Sequence, residues 1–274
     1  MRRGVVLLAA SIGCGRVGFQ SATRADDSGA PVESPPPACR ALDPSWTPEW
    51  SQLVAYEPFD GSGAIDDSDV IPAIVGSSGV ASNANGSGMT YTPGKVGQAI
   101  AFDGIDDYIT LPVPDVDTTA GDSVSVAVWM RWNGMLDPSS PSTWTKLLLF
   151  DSPEYALVYV DVGSGTTGFG FNSANSDLRG IPANALANTW VHVVGIFVNG
   201  ASTTTQLYID GQVQSLSDLL NAPQSDQVST EMLIAALPSW PSYYTGEMDE
   251  LAVWNTALSP DEIATIYAAQ AQCP

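Results

Sequence analysis

The stretch Thr245-Gly246-Glu247-Met248-Asp249-Glu250-Leu251-Ala252-Val253-Trp254 decides the fold, together with residues 255–267 that follow it. Its last four residues are apolar on both alternating faces, which is typical of a strand buried between two layers. The next segment predicts a short helix, because Ser259 can cap it, Pro260 suits its first turn and Glu262 completes a capping box. The chain is therefore expected to end in a buried strand followed by a capped helix.

A second informative run is residues 94–109, which read Gly-x-x-Gly-x-Ala-apolar-x-Phe-Asp-Gly and then Asp-Asp-Tyr. This run predicts a strand, a turn at Asp103-Gly104 and a second strand that starts at Tyr108. Residues 123–132 alternate cleanly, as a strand with two distinct faces does. Further strands are predicted at residues 146–150, 155–160, 169–172, 188–197 and 231–236. Residues 206–213 predict a hairpin whose turn is Asp210-Gly211.

These runs resemble, in the same order, the laminin-G-like domains of the concanavalin A-like superfamily. The resemblance covers roughly Leu53 to Tyr267, and Ile234-Ala235 is a mild departure, since the family often has Ile-Gly there. It implies an all-β fold, a two-sheet antiparallel β-sandwich or jelly roll with a short C-terminal helix. A fold by itself does not give a function.

The composition limits the classes of partner. The 274 residues include 9 basic and 30 acidic side chains, for a formal net charge of -21, and 44% of the residues are hydrophobic. A nucleic acid partner is not expected, because phosphate binding needs a basic face. Most of the acidic residues can form a charged surface that keeps the protein soluble. A few of them can bind calcium, which prefers oxygen ligands.

The N-terminus has the features of a targeting segment. Arg2 and Arg3 precede a short apolar run that ends near Cys14, which resembles a bacterial lipoprotein signal. We expect residues 1–13 to be the signal peptide, 14–45 a lipidated tether rich in Pro and Ser, and 46–274 the jelly-roll domain. The alternative is an ordinary secretory peptide. Either reading predicts an extracytoplasmic protein, anchored to a bacterial outer membrane through lipid on Cys14 or secreted.

If Cys14 carries the lipid, the remaining cysteines are Cys39 and Cys273, which bracket the domain. The first and last strands of a jelly roll commonly lie side by side, so the resemblance implies a disulfide between these two residues in an oxidising compartment. Two free thiols are the alternative.

Calcium is the cofactor that the resemblance implies. Family members often bind one structural ion where three parts of the chain meet: the turn after the first strand (here Phe59-Asp60-Gly61), the Phe-Asp-Gly turn (here Phe102-Asp103-Gly104) and the last strand. The resemblance implies Asp249 as a side-chain ligand here, with Asp60 and Asp103 or their backbone carbonyls nearby. The alternative is that these aspartates only shape turns and hold loops.

The sequence does not predict an enzyme. Hydrolases of this superfamily carry Glu-x-Asp-x-(x)-Glu on one strand, and strand alternation places Glu247 and Asp249 on one face but Glu250 on the other. His192 is the single histidine and lies within an apolar strand, so a structural role is expected. A glycoside hydrolase of unfamiliar arrangement is the less favoured alternative.

The expected function is recognition of a ligand at the cell surface, with carbohydrate as the leading ligand. Aromatic faces stack on sugar rings, and Trp144, Trp240 and Tyr243 lie in Pro- and Ser-rich context. Packing in the core is the alternative role for each of them. An adhesive scaffold that binds an extracellular protein is the alternative function.

Overall fold

The computed structural model describes residues 39–83, 88–137, 143–150, 154–173 and 176–274. Within these ranges the chain forms two antiparallel β-sheets and one C-terminal helix, so the predicted all-β jelly roll is confirmed. The elements are β1 Leu53–Glu57, β2 Val70–Ile71, β3 Gly79–Asn83, β4 Thr90–Pro93, β5 Gln98–Asp103, β6 Asp107–Pro112, β7 Ser123–Trp132, β8 Trp144–Phe150, β9 Tyr155–Asp161, β10 Thr167–Ser173, β11 Arg179–Pro182, β12 Val191–Val198, β13 Gln206–Ile209, β14 Gln212–Val213, β15 Ser217–Asp218, β16 Glu231–Ile234, β17 Thr245–Trp254 and α1 Pro260–Ala271. Three short 3-10 helices lie at Trp50–Gln52, Asn184–Leu186 and Ser202–Thr204.

In both sheets, many neighbouring strands are not consecutive in the sequence. The first sheet runs β14-β13-β12-β7-β17-β5-β4, and β1 also pairs with β17. The second sheet runs β15-β11-β10-β9-β8-β16-β6-β3-β2. Strands distant in sequence are therefore neighbours in both sheets, as in a Greek-key sandwich.

The main core lies between the sheets and is built by strand alternation. On β7 the five alternate apolar residues all point into it, as the sequence pattern predicts: Val124, Val126, Val128, Met130 and Trp132. Leu157 and Tyr159 of β9 enter the same core from the second sheet. Each fully buried side chain of this size contributes about 1.5–3 kcal/mol, so this interface dominates the stability of the domain.

Strand β17 lies at the centre of the first sheet. It pairs with β7 along one edge and with β5 and then β1 along the other. Helix α1 covers the outer face of this sheet, where Ile263 and Ile266 pack in a second apolar cluster with Trp254. The capping box that the sequence predicts is present, because Ser259 and Glu262 each accept a backbone N–H of the other.

Strand alternation fails at one point of β17. The register with β7 shifts between Asp249 and Ala252, and Glu250 has a positive φ of 54°. Such a bulge inserts one extra residue into the strand. In the β-ladder Asp249 lies opposite Trp129, whose ring stacks on Tyr267 of helix α1. The Glu250 carboxylate accepts a hydrogen bond from Gln270 of the same helix. Both carboxylates therefore lie on the outer side of the sheet, and the expectation that Glu250 points to the face opposite Asp249 is wrong.

A residue before the predicted boundary at residue 46, Leu42, packs against the sandwich. Leu42 is buried in the outer cluster beneath α1, and its N–H donates to the Tyr56 hydroxyl at 3.1 Å. Leu42 therefore contacts the domain from within the segment that the sequence predicts as tether. The expected cleavage site and Cys14 lie outside the described residues, which include no helix of the length and apolar character that a bilayer span requires.

The predicted Cys39–Cys273 disulfide is confirmed, and it joins residues 234 positions apart. Lys95 holds the same end of the chain, because its ammonium donates to the carbonyl oxygens of Ala271 at 2.9 Å and Cys273 at 2.6 Å. A basic side chain on the last carbonyls of a helix is a favourable C-terminal cap. A disulfide also indicates an oxidising compartment, extracellular or periplasmic.

Removing the disulfide is expected to destabilise the domain strongly. A closed loop of this length lowers the entropy of the unfolded chain, which the chain-entropy model values on the order of 5 kcal/mol. The double variant Cys39→Ser, Cys273→Ser should therefore unfold at a clearly lower urea concentration than the oxidised protein, by circular dichroism. The oxidised protein treated with reductant is the matched control and should match the variant. Equal midpoints for all three samples would contradict this account.

Candidate functional site

A cavity of about 370 Å³ lies on the outer face of the second sheet. The side chains that line it are Trp144, Lys146, Glu154, Asn172, Ser173, Ser176, Leu237, Ser239 and Trp240. On β9, Leu157 and Tyr159 face the core, whereas Ala156 and Val158 join Trp144 in a separate apolar cluster on the outer face. The cavity therefore has an apolar floor made by the strands and polar groups at its edges.

Lys146 is one of the two charged residues that line this cavity. It is only 4% exposed and pairs with the Glu154 carboxylate, and its ammonium also donates to Asn172 Oδ1 at 2.7 Å. The ammonium lies 5.1 Å from the centre of the Trp144 ring, which is the geometry of a cation–π contact. Burial lowers the pKa of Lys146, and the charge of Glu154 opposes that effect. A buried lysine held in this way is a fixed hydrogen-bond donor.

The polar side of the cavity is fixed by Asp177, which lies between β10 and β11. Asn172 Nδ2 donates to the Asp177 carbonyl at 2.9 Å, and Ser173 Oγ donates to the Asp177 carboxylate at 2.8 Å. Asn172 can therefore present its Oδ1 only toward Lys146. This hydrogen-bond network fixes the orientation of the Asn172 and Ser173 side chains, and no aromatic side chain takes part in these bonds.

Trp240 lies on a short loop that closes one side of the cavity. The loop spans residues 237–242, and a bridge between Ala236 and Tyr243 closes its base. Within the loop, the backbone N–H of Trp240 donates to the Leu237 carbonyl at 3.1 Å. Ser242 Oγ donates to the backbone carbonyl of Trp144 at 2.7 Å. Trp240 remains 52% exposed at the mouth. The loop therefore ties the exposed indole to the strand that carries Trp144.

The three residues predicted from the sequence to bind sugar have different positions. Trp144 and Trp240 line one cavity, although they are 96 positions apart in the chain. Trp144 is 8% exposed and serves mainly as the floor. Tyr243 is not among the lining residues, and its backbone N–H donates to Asp137 at 2.8 Å. Burial, followed by the charges of Tyr108, Asp106 and Asp137, raises the pKa of Tyr243.

The structure separates the three aspartates that the resemblance implies for calcium. Asp249 Oδ2 accepts the N–H groups of Lys95 at 2.8 Å and Val96 at 2.7 Å, and Asp60 Oδ1 accepts that of Gln98 at 2.8 Å. Both therefore hold the turn that precedes β5. Asp103 lies at the far end of β5, where it pairs with Thr245, about 13 Å along β17 from Asp249. The three residues therefore do not form one ligand set.

Asp103 instead lies in a different acidic cluster, with Asp106 and Asp107. One carboxylate oxygen from each of these residues lies within 4.8 Å of the others. The Asp103 side chain accepts the Ile105 N–H at 2.8 Å, and the positive φ of Gly104, 80°, allows the tight turn between them. Burial, together with the charges of Asp103 and Asp106, raises the pKa of Asp107 to about 7.

Glu247 and Glu250 of β17 are both engaged by other side chains. Glu247 forms a two-pronged ion pair with Arg131, at 2.6 and 2.9 Å. Glu250 is 2% exposed and accepts hydrogen bonds from the Tyr56 hydroxyl at 2.9 Å and from Gln270. Burial, then the neighbouring Asp249, raises the pKa of Glu250 well above its usual value. Glu250 therefore links β17 to helix α1 and to the first strand, and Glu247 links it to β7.

His192 is a buried side chain of β12, and its Nδ1 has no hydrogen-bond partner. It is 2% exposed, and its ring packs 5.2 Å from the ring of Trp129 and 6.1 Å from that of Tyr267. Burial lowers the pKa of His192 to about 3, so the imidazole is neutral at physiological pH. It lies beneath helix α1, on the opposite sheet from the cavity.

The polar residues of the cavity are the candidate site residues that sequence reasoning missed. Lys146, Glu154 and Asn172 come from three consecutive strands or their ends, so no local motif contains them. The one available signal is Lys146 itself, because a lysine between Trp144 and a Leu-Leu-Leu run interrupts a buried strand. Lysine is almost never buried without a partner, so such a position indicates a polar site.

The fold is a two-sheet jelly-roll β-sandwich with a ligand-sized cavity on an outer face. The family profile described as the concanavalin A-like lectin/glucanases superfamily, of laminin G type, matches residues 103–264, more than half of the chain. The chain belongs to this superfamily. No curated protein matches it.

Several solved structures share the fold at low sequence identity. Domain 4 of AbnA, a GH43 extracellular arabinanase from Geobacillus stearothermophilus, was solved in complex with arabinotriose. It is 21% identical, with a TM-score of 0.54, over 79% of this chain and 98% of that domain. The receptor binding domain of botulinum neurotoxin D is 11% identical, with a TM-score of 0.54, over 81% of this chain and 53% of that one. Trypanosoma rangeli sialidase is 14% identical, with a TM-score of 0.52, over 81% of this chain and 33% of that one. The chain thus spans about half of the botulinum neurotoxin domain and about a third of the sialidase. At these identities, all three similarities support the fold alone.

Glu57 gives a pH dependence that can be tested. It is fully buried at the end of β1, accepts the Gly79 N–H at 3.1 Å, and burial raises its pKa to about 8. In the unfolded chain a glutamate has a pKa of about 4.3. Between these values the folded protein retains a proton that the unfolded chain has released, so this residue lowers the free energy of unfolding as the pH rises.

The variant Glu57→Gln is therefore expected to gain stability relative to the natural protein at pH 8, with a smaller difference at pH 5. Urea unfolding of both proteins at the two pH values measures this change. The exposed Glu231→Gln variant is the control and should follow the natural protein at both pH values. Parallel pH curves for Glu57→Gln and the natural protein would show that Glu57 does not retain its proton in the fold.

Proposed function

We propose that this protein is a non-catalytic carbohydrate-binding module of an extracytoplasmic surface, and that the cavity between Trp144 and Trp240 holds the sugar. The observation that carries the proposal is the pairing of an exposed indole with a fixed polar set, Lys146, Glu154 and Asn172, in one cavity. Ligand sites combine apolar walls with a few oriented polar groups, and about 370 Å³ is within their usual size range.

The polar groups suit hydroxyl-rich ligands. A sugar ring offers donors and acceptors around its edge and apolar C–H groups on its faces. The Trp240 ring can stack on a face, while the carboxylate of Glu154 accepts hydrogen bonds and the ammonium of Lys146 donates them. The binding of arabinotriose by the domain of similar fold from the arabinanase supports this class of ligand.

Charge favours neutral sugars over acidic ones. The cation in the cavity, Lys146, already pairs with Glu154, so it offers no uncompensated positive charge to a uronate or sulfate. The chain also has a formal net charge of -21, which repels polyanions at long range. A neutral oligosaccharide avoids both penalties.

The arrangement of carboxylates supports binding without hydrolysis. Retaining glycosidases need two carboxyl groups about 5 Å apart, and inverting ones need roughly 6.5–9.5 Å. Among the described lining residues Glu154 is the one carboxylate, and it is engaged by Lys146. The acidic residues of β17 lie on the other sheet, buried or paired with Arg131.

Replacing the exposed indole is expected to weaken sugar binding. Trp240→Ala should raise the Kd for a neutral oligosaccharide found on a glycan array by tenfold or more, because the stacking face is lost. Lys146→Met should have a comparable effect, since it removes a fixed donor. Isothermal titration calorimetry with that oligosaccharide measures both, and thin-layer chromatography of the same mixtures should show no cleavage products.

Trp190→Ala is the matched control, because Trp190 contacts Arg131 on the other sheet. This variant should bind the oligosaccharide as the natural protein does. Equal affinity of Trp240→Ala and the natural protein would contradict the proposed site. An array with no neutral glycan among its ligands would contradict the proposed ligand, and specific capture of one extracellular protein would then favour the adhesive scaffold.

A further inference from the structure

We propose that the turn between β5 and β6 is a calcium site whose ligands are the carboxylates of Asp103, Asp106 and Asp107. Oxygens from the three side chains lie within 4.8 Å of one another. Calcium binds carboxylate oxygens at about 2.4 Å, so two ligands on opposite sides of one ion are up to about 4.8 Å apart. The observed spacing is therefore compatible with one ion among all three carboxylates.

Asp107 gives independent support, because its carboxylate is buried without enough partners. The residue is 0% exposed, and Oδ2 accepts the Asp103 N–H at 3.0 Å. Its other oxygen, Oδ1, has no hydrogen-bond partner. Burying an incompletely paired carboxylate has a high desolvation cost. A cation bound beside Asp103 and Asp107 removes that cost and the repulsion between the two acids.

The chain keeps space open around these carboxylates. Gly88 approaches them from another segment with a φ of +144°, and a Cβ atom there would lie 2.4 Å from Asp103 Oδ2 and 2.8 Å from Asp107 Oδ2. Any side chain at this position would displace the carboxylates. The glycine therefore forms a wall of the site without filling it, which leaves the acidic oxygens available to an ion.

This ligand set differs from the one that the family resemblance implies. Asp249 also has an oxygen, Oδ1, without a hydrogen-bond partner. Its second oxygen, however, accepts two backbone N–H groups, and within the described ranges no two further acidic groups lie close enough to complete a cluster with it. The two possible sites predict different variants to lose Ca²⁺ binding. A site at the β5–β6 turn requires Asp103 and Asp107, whereas a site at Asp249 requires Asp249.

Calcium titration of chelator-treated protein tests the proposal. The natural protein is expected to bind one Ca²⁺ by isothermal titration calorimetry, and its Tm should rise by about 5–10 °C at a hundredfold excess of Ca²⁺ over Kd. Asp107→Asn should weaken Ca²⁺ binding by tenfold or more, because the amide keeps the side-chain shape but removes the charge. Asp103→Asn is a second variant for the same measurement, in case Asp107→Asn does not fold.

Two further variants serve as controls. Asp161→Asn removes one exposed charge far from the turn and should bind Ca²⁺ as the natural protein does, as should Asp249→Asn. The proposal is overturned if the natural protein binds no Ca²⁺, if the folded Asp103 and Asp107 variants keep its affinity, or if the loss occurs only in Asp249→Asn. Sugar binding is measured separately, so failure of this site leaves the proposed function unaffected.

Discussion

The burial of β17 on both faces is the constraint on which the rest of the structure depends. Its inner face, with Met248, Leu251 and Val253, fills the core between the sheets, and its outer face lies beneath helix α1. Most polar side chains that are buried in such a strand form hydrogen bonds. The bulge at Glu250 fits this pattern, because it directs Glu250 toward Tyr56 and Gln270. The strand, the helix and the first strand are thereby fixed together.

The two outer faces of the sandwich consequently serve different purposes. On the first sheet, the helix, the N-terminal segment and the disulfide close the surface, and Lys95 fixes the C-terminal carbonyls. On the second sheet, short loops cover an apolar cluster only in part, and they leave the cavity beside Trp240. A rigid closed face can support a binding face whose polar groups must be held in position.

The strands and turns could be predicted from the sequence because they follow local rules. Alternation on β7, the hairpin turn at Asp210-Gly211 and the capping box at Ser259 each depend on neighbouring residues. The bulge could not be predicted, since alternation assumes an unbroken ladder and the extra residue becomes visible only against β7.

The site was only partly predictable for the same reason. Exposed tryptophan in a loop rich in Pro and Ser indicated Trp240, but its polar partners come from separate strands and meet only after folding. The expected grouping of Asp103 with Asp60 and Asp249 fails, because β5 carries Asp103 away from the turn that the other two hold. Its actual neighbours, Asp106 and Asp107, were adjacent in the sequence, where they could equally have been turn residues.

The most direct test of the central claim is a nuclear magnetic resonance titration of the eight tryptophan indole N–H signals with a neutral oligosaccharide. The claim is that the sugar occupies the outer face of the second sheet. The predicted result is that the signals of Trp144 and Trp240 shift with saturation, while those of Trp129 and Trp254 beneath the helix stay unchanged. Shifts confined to Trp190, or to the tryptophans of the first sheet, would place the ligand on the opposite face and contradict the account.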